Sequence, residues 1–308
     1  MTMEKFCLIT NDVETTSILN HRLDDGVADY LLKEGMPRLL DLYERDGVKA
    51  TFFFTGHIAS ICPQLVRMAF DKGHEVGSHG LTHEVSLAID TLSFEEQVRH
   101  LKESKKILED IIGQEVVSFR SPAARVNKTF PLAMKEAGFL IDSSVSSQRM
   151  DMFMSFGVKN KMNWLVAPRH AYFVNPNNIF QKGDSEILEI PISAMVFPYI
   201  GTFMRISPAF NRLTRNVLYL ESKCNGRQFV FLTHPNEFIN EVPDGDGKIT
   251  RRSKNYIGYL LGDVLRHKLK VKNLGAEALP IFERELKFFE DKSFEFVTCK
   301  ELYYLKTK

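Results

Sequence analysis

Short apolar runs alternate with longer segments of helical periodicity along most of the chain. Residues 5–11 (KFCLITN) read as a buried strand, and 49–54 (KATFFF) as a second one rich in aromatics. Six further strands are predicted at 74–77, 116–120, 139–142, 187–190, 229–233 and 294–297. Helical patterns fill the intervals. One covers 27–45, with an interruption expected near Gly35-Met36-Pro37. Another covers 63–72, opening on Pro63 and stopping at Gly73. The clearest spans 93–112: Ser93 and Glu96 form a capping box, and Phe94, Val98, Leu101, Leu108, Ile111 and Ile112 make one apolar stripe. A fourth, 128–137, ends at Gly138, and 249–269 and 280–289 are expected to form a helical cap or a contact between subunits.

Repeated strand–helix units predict an α/β fold with a parallel sheet, and about eight strands favour closure into a barrel. Residues 146–184 show no period and hold Pro168, Pro176 and Gly183, so a long excursion from the barrel is expected there. The length of 308 residues fits one large domain or two modest ones. With 44% hydrophobic and 26% charged residues the chain reads as soluble and globular. A formal charge of +1 leaves no basic footprint for nucleic acid. No stretch approaches the roughly 18 apolar residues of a membrane span. Cys7, Cys62, Cys224 and Cys299 are far apart and form no CxxC pair, so free thiols are expected. The N-terminal residues enter a strand pattern at once, and a cytoplasmic location, extending to the inner membrane face, is the expectation.

Unusual polar residues fall at the predicted strand ends. Asp12 and Glu14 follow the first strand, His79 and His83 the third; Arg120 closes the fourth, Asp142 the fifth, Glu189 lies in the sixth, and His234 follows the seventh. In a parallel α/β barrel these ends share one face, where active sites lie. His79-Gly-Leu-Thr-His83 is the best metal candidate, read as two imidazoles on one side of a helical turn. Two histidines and a carboxylate leave an open position for water, and zinc is the default ion, with cobalt or nickel also fitting. Asp12-Val-Glu14 places two carboxylates on the same side of extended backbone, so one can bind metal while the other takes a proton. Arg120 can pair with the base, and His234 suits a general acid. The bland readings are a turn-capping carboxylate, a structural salt bridge and a satisfied histidine. Asp244-Gly-Asp246-Gly-Lys248 fails as a calcium loop and reads as a surface turn.

Together these residues resemble the polysaccharide deacetylase family, the NodB-homology domains of carbohydrate esterase family 4. The stretch from Lys49-Ala-Thr-Phe-Phe-Phe-Thr-Gly-His to Gly73-His-Glu-Val-Gly-Ser-His79-Gly-Leu-Thr-His83 carries the likeness most specifically. Thr10-Asn-Asp12-Val-Glu14, Phe119-Arg120-Ser-Pro122 and Leu232-Thr-His234-Pro supply further motifs. The resemblance covers about residues 4–240 and implies a distorted (β/α)7 barrel in a single domain, with 241–308 as a helical extension and last strand. It implies that Asp12 is the base, His79 and His83 metal ligands, Arg120 the tether of the base and His234 the acid. The family pattern has two adjacent aspartates; here Val13 intervenes, Glu14 is taken as the ligand, and the reverse order for Asp12 and Glu14 stays open. Asp142 and Asp151 are candidates to support His234, Glu189 is a candidate groove wall, and Pro122 is a candidate to bind substrate or support the site.

The implied activity is metal-dependent removal of N-acetyl groups from a sugar. The expected substrate is a carbohydrate, free or carried on a lipid or nucleotide. The apolar, arginine-dotted 197–212 reads as a packed loop and helix, or as a platform for a lipid-linked substrate. The alternatives are an amidohydrolase acting on a small non-sugar amide and a carbohydrate-binding relative without catalysis.

Overall fold

The computed structural model describes residues 4–20, 22–150, 161–242 and 264–308. Asp151, the turn at 244–248 and most of the expected helix 249–269 lie outside the described residues.

Alternation along the first strand, β1 (Phe6–Val13), sorts its side chains onto two sides. Cys7, Ile9 and Val13 join an apolar layer between sheet and helices, while Leu8 joins a second layer inside the curl of the sheet. Besides a short antiparallel pair formed by Thr16–Ser17 and Arg22–Leu23, the remaining described strands, all in one sheet, are β2 (Ala50–Phe54), β3 (Glu75–Ser78), β4 (Ser118–Phe119), β5 (Ile141–Asp142), β6 (Tyr172–Asn175), β7 (Asn178–Lys182), β8 (Leu188–Glu189), β9 (Phe229–Thr233) and β10 (Glu295–Phe296). Their order is β9-β1-β2-β3-β4-β5-β8-β6-β7, with β10 beside the start of β1. All pairings are parallel except β8 with β6 and β6 with β7. Ser193, just past β8, donates its N–H to Val230 of β9 at 3.0 Å and accepts from the Val230 N–H at 2.9 Å. The chain therefore bridges the two sides of a curled half-barrel, the distorted barrel that the strand–helix alternation predicts.

Four predicted strands shrink to two residues each, and past β4, β5 and β8 side chains take over backbone hydrogen bonds at the polar ends. Ser121 N–H donates to Ser144 Oγ at 2.8 Å, and Val145 N–H to Glu189 Oε1 at 3.0 Å. The expected excursion 146–184 holds a hairpin among its described residues. β6 and β7 fold on each other, and Tyr172 and Phe173 pair with Glu189 and Leu188.

The helices are α1 (Val27–Tyr30), α2 (Met36–Arg45), α3 (Gly56–Ile61), α4 (Pro63–Asp71), α5 (Phe94–Ile112), α6 (Phe130–Ala137), α7 (Gly201–Ile206), α8 (Pro208–Asn225), α9 (Arg266–Lys270), α10 (Leu279–Asp291) and α11 (Cys299–Thr307). The interruption expected at Gly35-Met36-Pro37 is instead a π turn, Leu31–Gly35, that carries the helical path from α1 into α2 and places Pro37 in the first turn of α2. The capping box of α5 forms in full. Its stripe is corrected at one end: Phe94 is solvent-facing, and the buried face mixes Leu101 and Leu108 with Gln97, His100 and Ser104.

Inside the curl, Phe53, Val117, Ile141, Leu188, Ile190 and Val230 pack with Val297, Cys299 and Leu302. The last two belong to α11, which thus plugs the end where the strands begin. Polar residues occupy the opposite end, above this apolar floor. The four cysteines are free thiols. No helix among the described residues is long and apolar enough to cross a membrane.

Candidate metal centre

Three inward positions of the first strand and its continuation, Thr10, Asp12 and Glu14, follow the alternation that turns Leu8 inward. All three are buried. Arg120, at the end of β4, reaches across the interior to meet them. Its Nη1 donates to Thr10 Oγ1 at 2.8 Å and to Asp12 Oδ1 at 3.0 Å. Its Nε and Nη2 donate to the carbonyl and hydroxyl of Ser143, at 2.8 and 2.7 Å. The guanidinium lies 4.5 Å from the centre of the Phe53 ring. Burial opposes ionisation of Asp12, but Arg120, His79 and His234 outweigh it and hold this carboxyl below its ordinary value.

His79 Nδ1 lies 2.7 Å from the Arg120 carbonyl oxygen. A carbonyl only accepts, so Nδ1 carries the proton and Nε2 keeps its lone pair free. Burial pushes His79 down, consistent with a neutral ring. Its Nε2 is 3.8 Å from Asp12 Oδ2. His83 Nε2 is 3.0 Å from Glu14 Oε2, and the two imidazole centres are 5.7 Å apart. One ligand atom each from Glu14, His79 and His83 lies within 4.8 Å of the other two.

The route to this arrangement differs from the expected helical turn. Residues 79–83 form a loop, not a helix, with Gly80 at φ +72°. The loop is held from outside: Gly56 and His57 at the start of α3 donate their N–H groups to the carbonyls of Gly80 and Leu81, both at 2.8 Å. Pro122 is buried and packs behind Gly80, so it backs the ligand loop and does not line a groove.

The donor set fits a divalent cation. Glu14 Oε2 is buried without a hydrogen-bond donor, because its 3.0 Å approach to His83 lacks hydrogen-bond alignment. A buried carboxylate oxygen in that state is costly unless a cation compensates it. Two imidazoles and one carboxylate are a common catalytic zinc set.

His234 follows β9, half-buried, at the same rim. Asp12 and Glu237 are near enough for a charge on His234 to favour their ionisation. Asp142, expected to support His234, is placed elsewhere. It lies opposite Glu189 in the β5–β8 register, and both are buried. Ser144 Oγ donates to Asp142 Oδ1 at 2.6 Å. Burial, and then the Asp142 charge, push Glu189 well above the usual carboxylate range, which favours its protonated form; Asp142 Oδ2 and Glu189 Oε2, both buried, have no other hydrogen-bond partner and can share that proton. Glu189 is therefore no groove wall.

Glu237, to which the sequence motifs assign no role, stands beside His234. Glu237 is buried and accepts from Thr233 Oγ1 at 2.7 Å, Thr202 Oγ1 at 2.8 Å and Arg205 Nη2 at 3.2 Å. Its N–H donates to the His234 carbonyl at 2.9 Å, so it braces the turn that presents His234. The signal was available: a carboxylate three residues after a strand-end histidine. Beside the centre lies a groove of about 530 Å³ whose lining includes Thr15, Arg22, Asp25, His57, Thr82 and Glu84. Thr15 adjoins Glu14, and Thr82 adjoins His83.

The polysaccharide deacetylase family model matches residues 18–141, which include His79, His83 and Arg120. Over that segment the chain is similar to the polysaccharide deacetylase family. A peptidoglycan deacetylase of Helicobacter pylori is 32% identical over 111 residues, 36% of this chain and 37% of that protein. A peptidoglycan-N-acetylglucosamine deacetylase of Bacillus cereus is 32% identical over 103 residues, 33% of this chain and 46% of that protein. The chain thus spans less than half the length of these deacetylases. A polysaccharide deacetylase structure from Mycobacterium smegmatis superposes with a TM-score of 0.54 at 22% identity, covering 75% of this chain and 77% of that one. The Puue allantoinase superposes with a TM-score of 0.58 at 16% identity, covering 96% and 89%. Both share the deacetylase-type fold described above.

Proposed function

We propose that this chain is a polysaccharide deacetylase relative acting as a metal-dependent N-deacetylase of an N-acetylated sugar. The observation that carries the reading is Asp12, buried, tethered by Arg120 and kept ionised, 3.8 Å from the ring nitrogen of a three-residue ligand set. Glu14, His79 and His83 would hold the ion, zinc by default. Such an ion supplies Lewis acidity, polarising the acetyl carbonyl and acidifying a water.

The chain's own residues do the rest. Asp12 accepts the proton of the attacking water; its second oxygen is tied down by Arg120, so the accepting one is fixed in direction. Thr10 shares the same guanidinium nitrogen and keeps it in place. His234 gives a proton to the departing nitrogen, and Glu237 and Thr233 hold its turn. The products are acetate and a free amino sugar. The groove beside Glu14 and His83 is polar, with hydroxyl, carboxylate and imidazole groups suited to sugar hydroxyls.

The names of the relatives favour substrates containing N-acetylglucosamine. The free cysteines support a reducing compartment, where an acetylated sugar would be carried on a nucleotide or lipid. The test is acetate release by zinc- and cobalt-loaded protein from N-acetylglucosamine oligomers, peptidoglycan fragments and a nucleotide-linked N-acetylhexosamine. Turnover on at least one is expected, and Asp12→Asn should lower it by about 10²–10⁴-fold while retaining the metal. Acetate release confined to amides lacking a sugar would replace this reading with the amidohydrolase one.

A further inference from the structure

The ring of His79 is aimed by its bond to the Arg120 carbonyl, but the ring of His234 makes no hydrogen bond among the described residues. Its aim therefore depends on how its backbone is held. One residue grips that backbone on both sides. Glu237 N–H donates to the His234 carbonyl at 2.9 Å, and the hydroxyl of the preceding Thr233 donates to Glu237 Oε2 at 2.7 Å. Burial opposes ionisation of Glu237, yet Arg205 and then His234 hold its carboxyl below the usual range. It is thus a carboxylate that only accepts.

Three positions of α7, spaced i, i+1 and i+4, converge on that carboxylate. A Cβ at Gly201 would lie 2.0 Å from Glu237 Oε2 and 2.6 Å from Thr233 Oγ1, so only glycine lets the first turn of α7 come this close. Thr202 Oγ1 donates to Glu237 Oε1 at 2.8 Å, and Arg205 Nη2 donates to the same oxygen at 3.2 Å. Ile200, just before α7, bridges to Leu232 of β9, the strand that leads into His234. Arg205 is fully buried and is itself held from the C-terminal part of the chain. Its Nη1 donates to the carbonyls of Lys270 and Lys272, at 3.0 and 2.8 Å, and its own carbonyl accepts from Asn273 Nδ2 at 2.7 Å.

We propose that Arg205 is a positioning residue for the acid: Arg205 and segment 270–273 fix Glu237, and Glu237 fixes the turn that aims His234 at the departing nitrogen. The inference rests on the reading of His234 as the general acid. It makes the C-terminal part of the chain, beyond the motifs that carry the family likeness, a working part of the site. Stability is a poor reason for this arrangement. Desolvation offsets the attraction within a buried arginine–carboxylate pair, and Arg205 Nε is left buried without a partner. What the fork of Arg205 supplies is a single geometry. A proton donor needs one, because a misplacement of about 1 Å costs on the order of 10²-fold in rate.

The test separates the acid step from the rest of turnover by the leaving group. An amide nitrogen needs a proton to depart, whereas the phenolate of para-nitrophenyl acetate leaves without one. Acetate release by the zinc-loaded full chain is measured on this ester and on the N-acetylated sugar it turns over. Arg205→Lys keeps the charge that Glu237 needs and loses the fork, so the variant is expected to fold. Its kcat on the amide should fall about 10²-fold with KM little changed, and the loss on the ester should be at least about tenfold smaller. Thr202→Val, which removes one donor to Glu237 at nearly the same shape, should show the same selectivity at smaller size. His234→Ala sets the reference. If it loses amide and ester turnover alike, the acid reading fails and takes this inference with it. If His234→Ala is selective for the amide while Arg205→Lys and Thr202→Val lose both activities equally, or lose neither, Arg205 is structural only and the proposal alone is overturned.

Discussion

Arg120 uses three nitrogens on four acceptors, two on the first strand (Thr10 and Asp12) and two on Ser143 just past β5. A lysine could not reproduce that fork, because its single ammonium has no fixed geometry. The charge of Arg120 also reaches the neighbouring Asp142–Glu189 pair and lowers both carboxyls, yet burial dominates and favours protonated Glu189. A neutral glutamine can therefore stand in for it, accepting from Val145 and donating to Asp142. Glu189→Gln is expected to change unfolding stability by no more than about 1 kcal/mol in urea titration. Glu189→Ala strips both partners at once and should cost about 3 kcal/mol or more. Equal damage from the two substitutions would show that Glu189 is ionised.

At the scale of elements, the segments with a long, repeated pattern were legible and the short ones were not. The capping box and apolar spacing specified α5 to within a residue, because local propensity and packing agree there. β9 forms over the whole of its predicted 229–233, a continuous apolar run that is buried nearly throughout. The ligand segment 79–83 was misread as helix, since HxxxH spacing fits a helical turn; Gly80 at positive φ and the N–H groups of α3 instead fold it as a loop that brings both rings together. The hairpin β6–β7 is not legible in the sequence because its two apolar runs, residues 172–174 and 179–180, are too short to set a period. At the site, Asp12, Glu14, His79, His83, Arg120 and His234 all fall on one rim, as their strand-end positions predict. Asp142 and Glu189 share the rim by sequence but turn away into a pair of their own, and only cross-strand register reveals that.

The polar patches on the buried face of α5 carry a pH signature. His100 is buried, neither ring nitrogen has a hydrogen-bond partner, and burial with the Arg99 charge lowers it to about 4. His74 is lowered to about 4 as well, by burial and then by Lys49 and Lys72. Both accept protons more readily in the unfolded chain, near 6.5. Their neutral forms therefore contribute stability above pH 6.5 that is lost as the pH falls from there to about 4. Each contributes at most about 3 kcal/mol over that window. His100→Leu should flatten the fall by up to that amount in urea titrations between pH 7 and 4. An unchanged slope would place the titration elsewhere.

For the molecule as a whole, the candidate centre joins strands that are not neighbours. Glu14 follows β1, His79 and His83 follow β3, and β2 runs between them. An ion held there ties these strands across the mouth of the half-barrel and relieves the unpartnered Glu14 oxygen. Binding to the folded chain alone must raise global stability. Zinc at a hundred times its dissociation constant should add about 2.7 kcal/mol, a rise of roughly 5 °C in melting temperature for a chain of this size. A chelator should reverse it. Glu14→Ala removes a buried carboxylate that has no donor, so the metal-free variant should be at least as stable as the metal-free parent, yet its melting temperature should no longer respond to zinc. Asp12→Asn should keep the response, since the amide leaves Glu14, His79 and His83 in place. The opposite pattern, zinc response surviving Glu14→Ala and lost in Asp12→Asn, would exchange the roles of the two carboxylates and make Glu14 the proton acceptor.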